Sequence, residues 1–410
     1  MSANLSKESQ PKWEQKWMKI FPELAGTDVT SDEHISPENF KREIDLVFRR
    51  TWLFAGIESD IPNPGDYIVR EFQALKVSLL LVRGSDTKVR VFHNVCRHRA
   101  ATLLPSNARG NKRAFACEFH GWTYGLDGAL LAVTDPDGLL KREELGLVEL
   151  PSRTWNGFIF FNPEQKPRET FEQWLGEMAL HPMNQFPFVA KDWESWGWRC
   201  EVDADWKVVK DLFIESYHVS FLHRITVDNL YSAKENPFHH WSAVDFYGKH
   251  QKATLGSSPP SKTLMMGPIA KASVKFGGTD SSRFGKAKNA APGLNPDGLE
   301  NWGVDEYSMF PNFNIHFFGG LWHYHLFEPL GVGRSAWENR IFFPKAKNAG
   351  ERFAHGFSHS LQIIVGLEDL AAAERNQAGM ESGAIKKLAL HEQEVQLRQM
   401  RKTLQEYMRA

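Results

Sequence analysis

Two short runs, "CRHRA" from Cys96 and "CEFHGWTY" from Cys117, each pair a cysteine with a histidine, and eighteen residues separate His98 from Cys117. The chain has three cysteines in 410 residues, so two of them sit here and no disulfide framework is available. Thiolates grouped with imidazoles ligate soft or borderline metals. Structural zinc sites usually take both thiolates from one knuckle and both histidines from another segment, whereas each run here offers one of each. That division suits a two-iron cluster with Cys96 and Cys117 on one iron and His98 and His120 on the other. Zinc is the competing occupant on residue types alone.

The surrounding sequence supplies a scaffold for two such loops. From Asp66 to Asn162, short apolar runs such as "DYIVREF", "KVSLLLVRG", "KVRVFHNV" and "GFIFFN" alternate with Gly, Asp, Asn and Pro, the pattern of a small antiparallel β domain. "GLDGAL" predicts a hairpin turn with both Asp127 and Gly128 at positive φ. Upstream, "SPENFKREIDLVFRRTW" has Ser36 at an N-cap position, Pro37 next, and Phe40, Ile44, Val47 and Phe48 at helical spacing. Beyond about residue 165 the signal is mixed. "MFPNFNIHFFGGLWHYHLFEPLG" and "AWENRIFFP" read as long strands, and "ERFAHGFSHSLQIIVGLEDLAAAERNQAGM" and "KKLALHEQEVQLRQMRKTLQEYM" as helices. The Gly, Pro, Ser and Lys-rich segment from Leu255 to Gly298 is too long for a plain connection and is expected to be a lid or ordering loop. The expected fold class is α+β, with a helical segment over 1–50 packing on the last domain, an all-β domain over 51–165 and a mixed domain over 166–410.

A formal net charge of -1 and a pI near 7.0 give no general attraction to nucleic acid or to an anionic membrane. The strongest apolar run, "VSLLLV", is strand-sized, and the first residues carry no signal-like run, so a soluble cytoplasmic protein is expected.

A second cluster lies in "DLFIESYHVSFLH". On an ideal helix Asp211, Glu215 and His218 share one face, while His223 points about 140° away from His218. The two histidines can meet only if the helix breaks, which is expected after about Val219. An O2-activating non-haem iron uses two histidines and one carboxylate on one side of the metal. The acid must come from elsewhere, and "GLEDLAAAERNQAG" offers Glu368 and Asp369.

The pattern C-x-H, eighteen residues, C-x-x-H, followed by "GWTY", resembles the Rieske domain of the Rieske non-haem iron oxygenases, the catalytic alpha subunits of aromatic-ring-hydroxylating enzymes. "ESYHVSFLH" with a late acid is similar to that family's iron motif. The resemblance implies a [2Fe-2S] Rieske cluster on Cys96, His98, Cys117 and His120, and mononuclear Fe(II) on His218, His223 and Asp369, with Glu368 as second choice. It implies that Glu215 bridges His218 to His120 of a neighbouring subunit and carries the electronic coupling; ring dioxygenases commonly have Asp there, so the bridge geometry differs. Asp211 departs from the family's usual Asn, and both a catalytic role and a solvated or Arg-paired acid stay open for it. Also implied are a helix-grip catalytic domain and a homotrimer, with or without a separate beta subunit.

The implied reaction uses O2 and externally supplied electrons to cis-dihydroxylate or monohydroxylate an aromatic substrate. N- or O-demethylation or C–N cleavage of a quaternary amine or aromatic ether is the alternative, and an electron carrier without oxygenase activity is the reading from another class. Leu212, Phe213 and Val219 adjoin the iron ligands and are expected in the pocket. The remaining cysteine, Cys200, is read as an inert core thiol and cannot hold a second cluster, and no GxGxxG or P-loop motif occurs. Electrons are therefore expected from NAD(P)H through a ferredoxin and/or reductase. Arg97, Arg99, Arg109, Lys112 and Arg113 flank the cluster loops and are the expected docking face for an acidic partner.

Overall fold

The computed structural model describes residues 16–135, 141–190, 192–227, 236–256, 267–276, 292–318 and 321–409. The chain divides into two compact units, one of Ile44–Trp174 and one of Met1–Glu43 with Leu175–Ala410. The divisions thus fall at 43/44 and 174/175, where the sequence suggests 50/51 and 165/166.

The smaller unit is built from three antiparallel sheets. The largest runs in the order Glu149–Leu150, Val89–His93, Val77–Arg83, Asp66–Phe72, Arg109–Asn111. Its middle strand carries "LLLV" with Leu79, Leu80, Leu81 and Val82 all buried, so it reads as a continuous apolar run rather than an alternation. A second sheet joins Ser152–Trp155, Phe158–Phe161 and Leu53–Ile57. The third, of Phe115–Ala116, Thr123–Tyr124 and Leu130–Ala132, carries the Cys117 loop between its first two strands. The turn before Leu130 differs from the expected one: Gly128 has φ +84°, whereas Asp127 does not enter the left-handed region. Gly128 is also required by space, because a Cβ there would lie 2.6 Å from the Phe92 ring.

The larger unit centres on a seven-stranded antiparallel sheet. Its order is Trp193–Val202, Arg334–Pro344, Leu321–Gly331, Phe313–Phe318, Trp302–Met309, His250–Gly256, Ala243–Tyr247. The helix Ala349–Glu381 follows, begun by a reciprocal cap in which Asn348 accepts from the Glu351 N–H at 2.9 Å and Glu351 accepts from the Lys347 N–H at 2.7 Å. The terminal helix begins only at Val395, because Lys387–Leu388 pairs in antiparallel fashion with Val29–Thr30 instead. The helix expected from Ser36 covers Pro37–Glu43 and widens to a π-turn over Ile44–Phe48. Within the expected lid, Pro268–Lys275 is a helix; residues 257–266 and 277–291 lie outside the described residues.

The helix Trp206–Asp211 leads into the second sequence cluster, and a buried charge network fixes its start. Asp205 caps it, accepting from the Lys207 N–H at 3.1 Å, and the same carboxylate lies 2.8 Å from Lys207 Nζ and 3.2 Å from His34 Nδ1. Lys207 Nζ also lies 2.7 Å from Glu43, which accepts a further hydrogen bond from the Trp206 indole. One ammonium thus serves two buried carboxylates, and burial lowers the pKa of His34 to about 4 so that it stays neutral beside Asp205. Lys207→Met should therefore destabilise the fold by about 3–5 kcal/mol, the effect of stripping one partner from a buried ion pair. Urea unfolding followed by circular dichroism measures it.

Candidate active site

The two Cys/His runs fold alike. Cys96 N–H donates to Ala101 O and Cys96 O accepts from Ala100 N; Cys117 N–H donates to Trp122 O and Cys117 O accepts from Gly121 N. Each loop closes through a left-handed residue four positions after its cysteine, Ala100 at φ +59° and Gly121 at φ +69°. Both cysteines are buried, and the Nδ1 atoms of His98 and His120 converge to 3.2 Å. Two nitrogens on one tetrahedral metal at about 2.1 Å would stand roughly 3.4 Å apart, so this pair fits a single iron. Trp122 stacks on His98 with ring centroids 4.8 Å apart. The Tyr124 hydroxyl accepts from the Arg97 N–H at 3.0 Å and lies 3.2 Å from Cys96 Sγ, so its own proton is directed at the sulfur. A hydrogen bond to a ligand sulfur favours the more negative, reduced state of a cluster.

In the larger unit the helix stops at Asp211, residues 212–218 form an irregular turn, and one new helical turn, Val219–Leu222, runs from His218 to His223. The break therefore precedes His218, where the sequence reading puts it after Val219. Glu215 keeps the helix from resuming before His218: its carboxylate accepts from the backbone N–H of Tyr217 at 2.5 Å and of His218 at 3.2 Å. A side chain that satisfies backbone donors in this way competes with continued helix.

That turn brings three ligand atoms together. His218 Nε2 is 3.2 Å from His223 Nε2 and 3.4 Å from Asp369 Oδ1, and His223 Nε2 is 2.9 Å from Asp369 Oδ1. Ligands at right angles on a metal about 2.1 Å away would stand roughly 3.0 Å apart, the facial arrangement of two histidines and a carboxylate. The outer nitrogens are occupied by acceptors: Glu215 pairs with His218 Nδ1, and Glu368 lies 2.7 Å from His223 Nδ1 while also accepting from the Thr226 hydroxyl at 2.8 Å. Glu368, the second-choice ligand of the sequence reading, thus holds the outer side of His223, and Asp369 faces the inner side. With both rings neutral and N–H at each Nδ1, two bare nitrogens would face a buried carboxylate oxygen that no other group donates to. A cation satisfies that ring of lone pairs, so the residues fit mononuclear iron.

Asp211 is not part of this group. It accepts from Arg401 at 2.5 Å, 190 positions along the chain, and burial raises its pKa to about 6 despite that partner. Of the two readings left open for it, the Arg-paired geometry is the one the structure shows.

Beside the triad lies a cavity of about 780 Å³, partly open to solvent, lined by the expected Leu212, Phe213 and Val219. Its lining also includes a group that the sequence reading passes over: His316, His323, His325 and Asn339, with Trp337. Their only signal is the alternate spacing in "LWHYHLF", which places His323 and His325 on one sheet face. Register completes the group, because His316 pairs with His323 and Asn339 with His325 across neighbouring strands.

In the smaller unit Arg97, Arg99, Arg109, Lys112 and Arg113 are all exposed, with the Arg99 guanidinium 5.4 Å from the ring centroid of exposed Phe119. Cys200 is half-buried in Trp193–Val202, and burial raises its thiol pKa. No helix among the described residues is long and apolar enough to cross a membrane.

Comparison with known proteins agrees with both halves of this geometry. The family of ring hydroxylating alpha subunits matches through its catalytic domain over residues 190–410. The chain belongs to that family. A Rieske [2Fe-2S] domain matches over residues 51–143, so the chain carries the domains of a Rieske cluster and a mononuclear iron centre that works with O2. It is 31% identical over 219 residues to the chloroplastic choline monooxygenase of Spinacia oleracea, covering 50% of this chain and 47% of that one. It is 31% identical over 193 residues to the carnitine monooxygenase oxygenase subunit of Acinetobacter pittii, covering 46% and 51%. It is 34% identical over 200 residues to the large oxygenase component of naphthalene 1,2-dioxygenase from Ralstonia sp., covering 46% and 43%. The chain thus matches about half the length of these curated relatives. The α+β fold is shared with a quaternary ammonium Rieske monooxygenase in complex with L-carnitine (TM-score 0.71, 19% identity, covering 94% of this chain and 97% of that one). It is shared equally with naphthalene 1,2-dioxygenase from Rhodococcus sp. (TM-score 0.72, 19% identity, covering 98% and 99%).

Without metal, burial opposes a charge on His218, but Glu215 and Asp369 on its two sides outweigh it and raise the pKa to about 10. At neutral pH a bound iron must displace that proton, so iron affinity should rise with pH between 6 and 8 by about tenfold per unit per proton released. Glu368→Gln should weaken iron binding by about 10–100-fold, and Asp369→Asn by more, since only the latter is aimed at the metal. Iron retained per chain against a graded chelator reads both.

Proposed function

We propose that this chain is the oxygenase component of a Rieske-type system that uses O2 and externally supplied electrons to hydroxylate an aromatic substrate. The observation that carries the reading is the ring of lone-pair atoms from His218, His223 and Asp369 at the edge of a cavity with aromatic walls. Cys96, His98, Cys117 and His120 hold the cluster in this reading, and His218, His223 and Asp369 hold Fe(II). When bound, the cluster supplies single electrons and the iron supplies a place for O2 reduction next to the substrate. The protein's own part is positional. Glu215 holds the Nδ1 proton of His218, Glu368 does the same for His223, and the apolar wall of Leu212, Val219 and Val365 keeps water from the space between. Phe213, Phe318 and Trp337 offer flat faces to a ring.

Glu215 is also proposed as the link to His120 of a neighbouring subunit in a homotrimer, and the exposed Arg97, Arg99, Arg109, Lys112 and Arg113 as the face that receives a ferredoxin or reductase in the cytoplasm. One observation favours a second reading, N-demethylation or C–N cleavage of a quaternary amine. Glu306 lines the cavity with an unpartnered Oε1, and burial raises its pKa to about 8, so a substrate cation there would be welcomed as the carboxyl ionises. Aromatic ether O-demethylation fits the same cavity.

Metal analysis separates the oxygenase from a pure electron carrier. Three irons and two acid-labile sulfides per chain are expected, and two irons with two sulfides would leave only the carrier. With iron supplied in excess so that all three irons stay bound, Glu215→Gln should keep the reduced-cluster EPR signal while lowering substrate-dependent O2 uptake by about a hundredfold or more, a loss of roughly 2.7 kcal/mol in the rate-limiting barrier. The rate of cluster reduction by an acidic ferredoxin should fall steeply as salt rises from 50 to 500 mM, because the docking face is exposed and screened within about a Debye length.

A further inference from the structure

A line of indoles leads from the cavity to the edge of the large sheet. Trp337 lines the cavity and is 1% exposed. Its indole edge packs against Gly366, three residues before Asp369 on the helix Ala349–Glu381. Side chains three apart on a helix are neighbours, with about 5–6 Å between Cβ positions, so the ring stands about one turn from the carboxylate aimed at the metal. Away from the cavity, Trp337 meets Trp198 edge to face, with ring centroids 5.5 Å apart. Trp198 and Trp196 lie two apart on Trp193–Val202, on one face of that strand, with Cα atoms about 6.6 Å apart. The His359 ring fills the space between them, 5.4 Å from the Trp198 centroid and 5.3 Å from that of Trp196.

Trp193–Val202 is an edge strand of the seven-stranded sheet, and Trp196 and Trp198 are both half-buried on it. An indole thus stands at the cavity, one between and one at the solvent. Packing alone needs an apolar ring, which phenylalanine supplies. Indole adds a property that phenyl and imidazole lack, the ready loss of a single electron. An iron that works with O2 gives that property a use. When O2 is partly reduced and no substrate takes the oxygen, the site is left two electrons and two protons short of water, and it oxidises what lies nearest.

We propose that Trp337, Trp198 and Trp196 form an electron path that discharges the iron site to the protein surface when O2 is consumed without substrate. This rests on His218, His223 and Asp369 holding the iron. Each transit moves one electron inward: Trp337 reduces the site, Trp198 restores Trp337, Trp196 restores Trp198, and a soluble reductant of the ascorbate or thiol class restores Trp196. Two transits complete water, with two protons taken up at the cavity and two released by the reductant. The Trp337 N–H donates to His325 Nδ1 at 3.0 Å, so the proton loosened while the ring is short of an electron has an acceptor and returns afterwards. Without a reductant the Trp196 radical loses its indole proton to water and combines with O2, which leaves oxygen on that ring.

The test uses the full-length protein carrying cluster and iron, reduced with dithionite, desalted, and exposed to O2 without substrate in the presence of catalase. Its peptides are then read by mass spectrometry. Oxygen should accumulate on Trp196. Trp193, half-buried on the opposite face of the same strand, and Trp155, half-buried in the smaller unit, should stay clean. Trp198→Phe, which keeps a ring in place, should abolish the mark on Trp196 while iron content and substrate-dependent O2 uptake stay at the wild-type level. Marking of Trp193 or Trp155 to the same extent as Trp196 would reveal a diffusing oxidant and overturn the path, and that arm needs no variant to fold. So would a mark on Trp196 that survives Trp198→Phe or that forms before iron is loaded. Substrate oxidised while Trp196 stays clean in every condition keeps the oxygenase and overturns the path. Trp196 marked with no substrate oxidised does the reverse, and a protein that does neither loses both.

Discussion

The imidazole of His223 is held between consecutive residues of one helix, with Glu368 at 2.7 Å from its outer nitrogen and Asp369 at 2.9 Å from its inner one. Neighbouring residues on a helix differ by about 100° in direction, so only one rotation of Ala349–Glu381 about its axis lets both carboxylates reach opposite sides of one ring. That rotation decides what else the helix presents. Gln362, Val365 and Gly366 precede Asp369 by seven, four and three residues, the spacing of a single helical face, and all of them line the cavity. The metal ligand and the substrate wall are therefore set by the same rotation of one helix.

Two groups of histidines line the cavity, and what faces Nδ1 distinguishes them. His218 and His223 meet carboxylates there, which draw the proton outward and leave the inner nitrogen bare. His323 and His325 meet an amide and an indole, which force the proton inward. The same side chain is thereby made a lone-pair donor in one group and a hydrogen-bond donor in the other. Partners one layer out from the cavity, rather than residue type, divide the labour.

The parts of this arrangement legible in the sequence are those written in short-range spacing. The two Cys/His runs, the His218/His223 pair and the acids at 368 and 369 each lie within a few residues of one another, and the β scaffold shows in its turns and alternation. What was hidden depends on register or distant pairing. Nothing near Asp211 announces Arg401, and nothing in "NIHFF" says that His316 will stand opposite His323. The sequence reading places the helix break only after about Val219, where the two histidines could still meet. The helix stops at Asp211, and Glu215 keeps it from resuming before His218 by capturing backbone N–H groups, a local competition that periodicity does not register. The contact of Tyr124 with Cys96 likewise emerges only when the two loops fold side by side.

Gly366 faces Trp337 so closely that a Cβ on it would lie 2.3 Å from the indole Cη2. The indole therefore acts as a spacer gauge between sheet and helix, with no slack on the helix side. Its far edge sets how near the backbone bearing Asp369 can come, and its N–H sets which way His325 donates. Room for a bulkier substrate and the reach of the metal carboxylate are then a single dimension of the molecule. A lineage that widened this pocket by shrinking the tryptophan would also have to reset the helix, and a change at Gly366 would need a matching change across the gap.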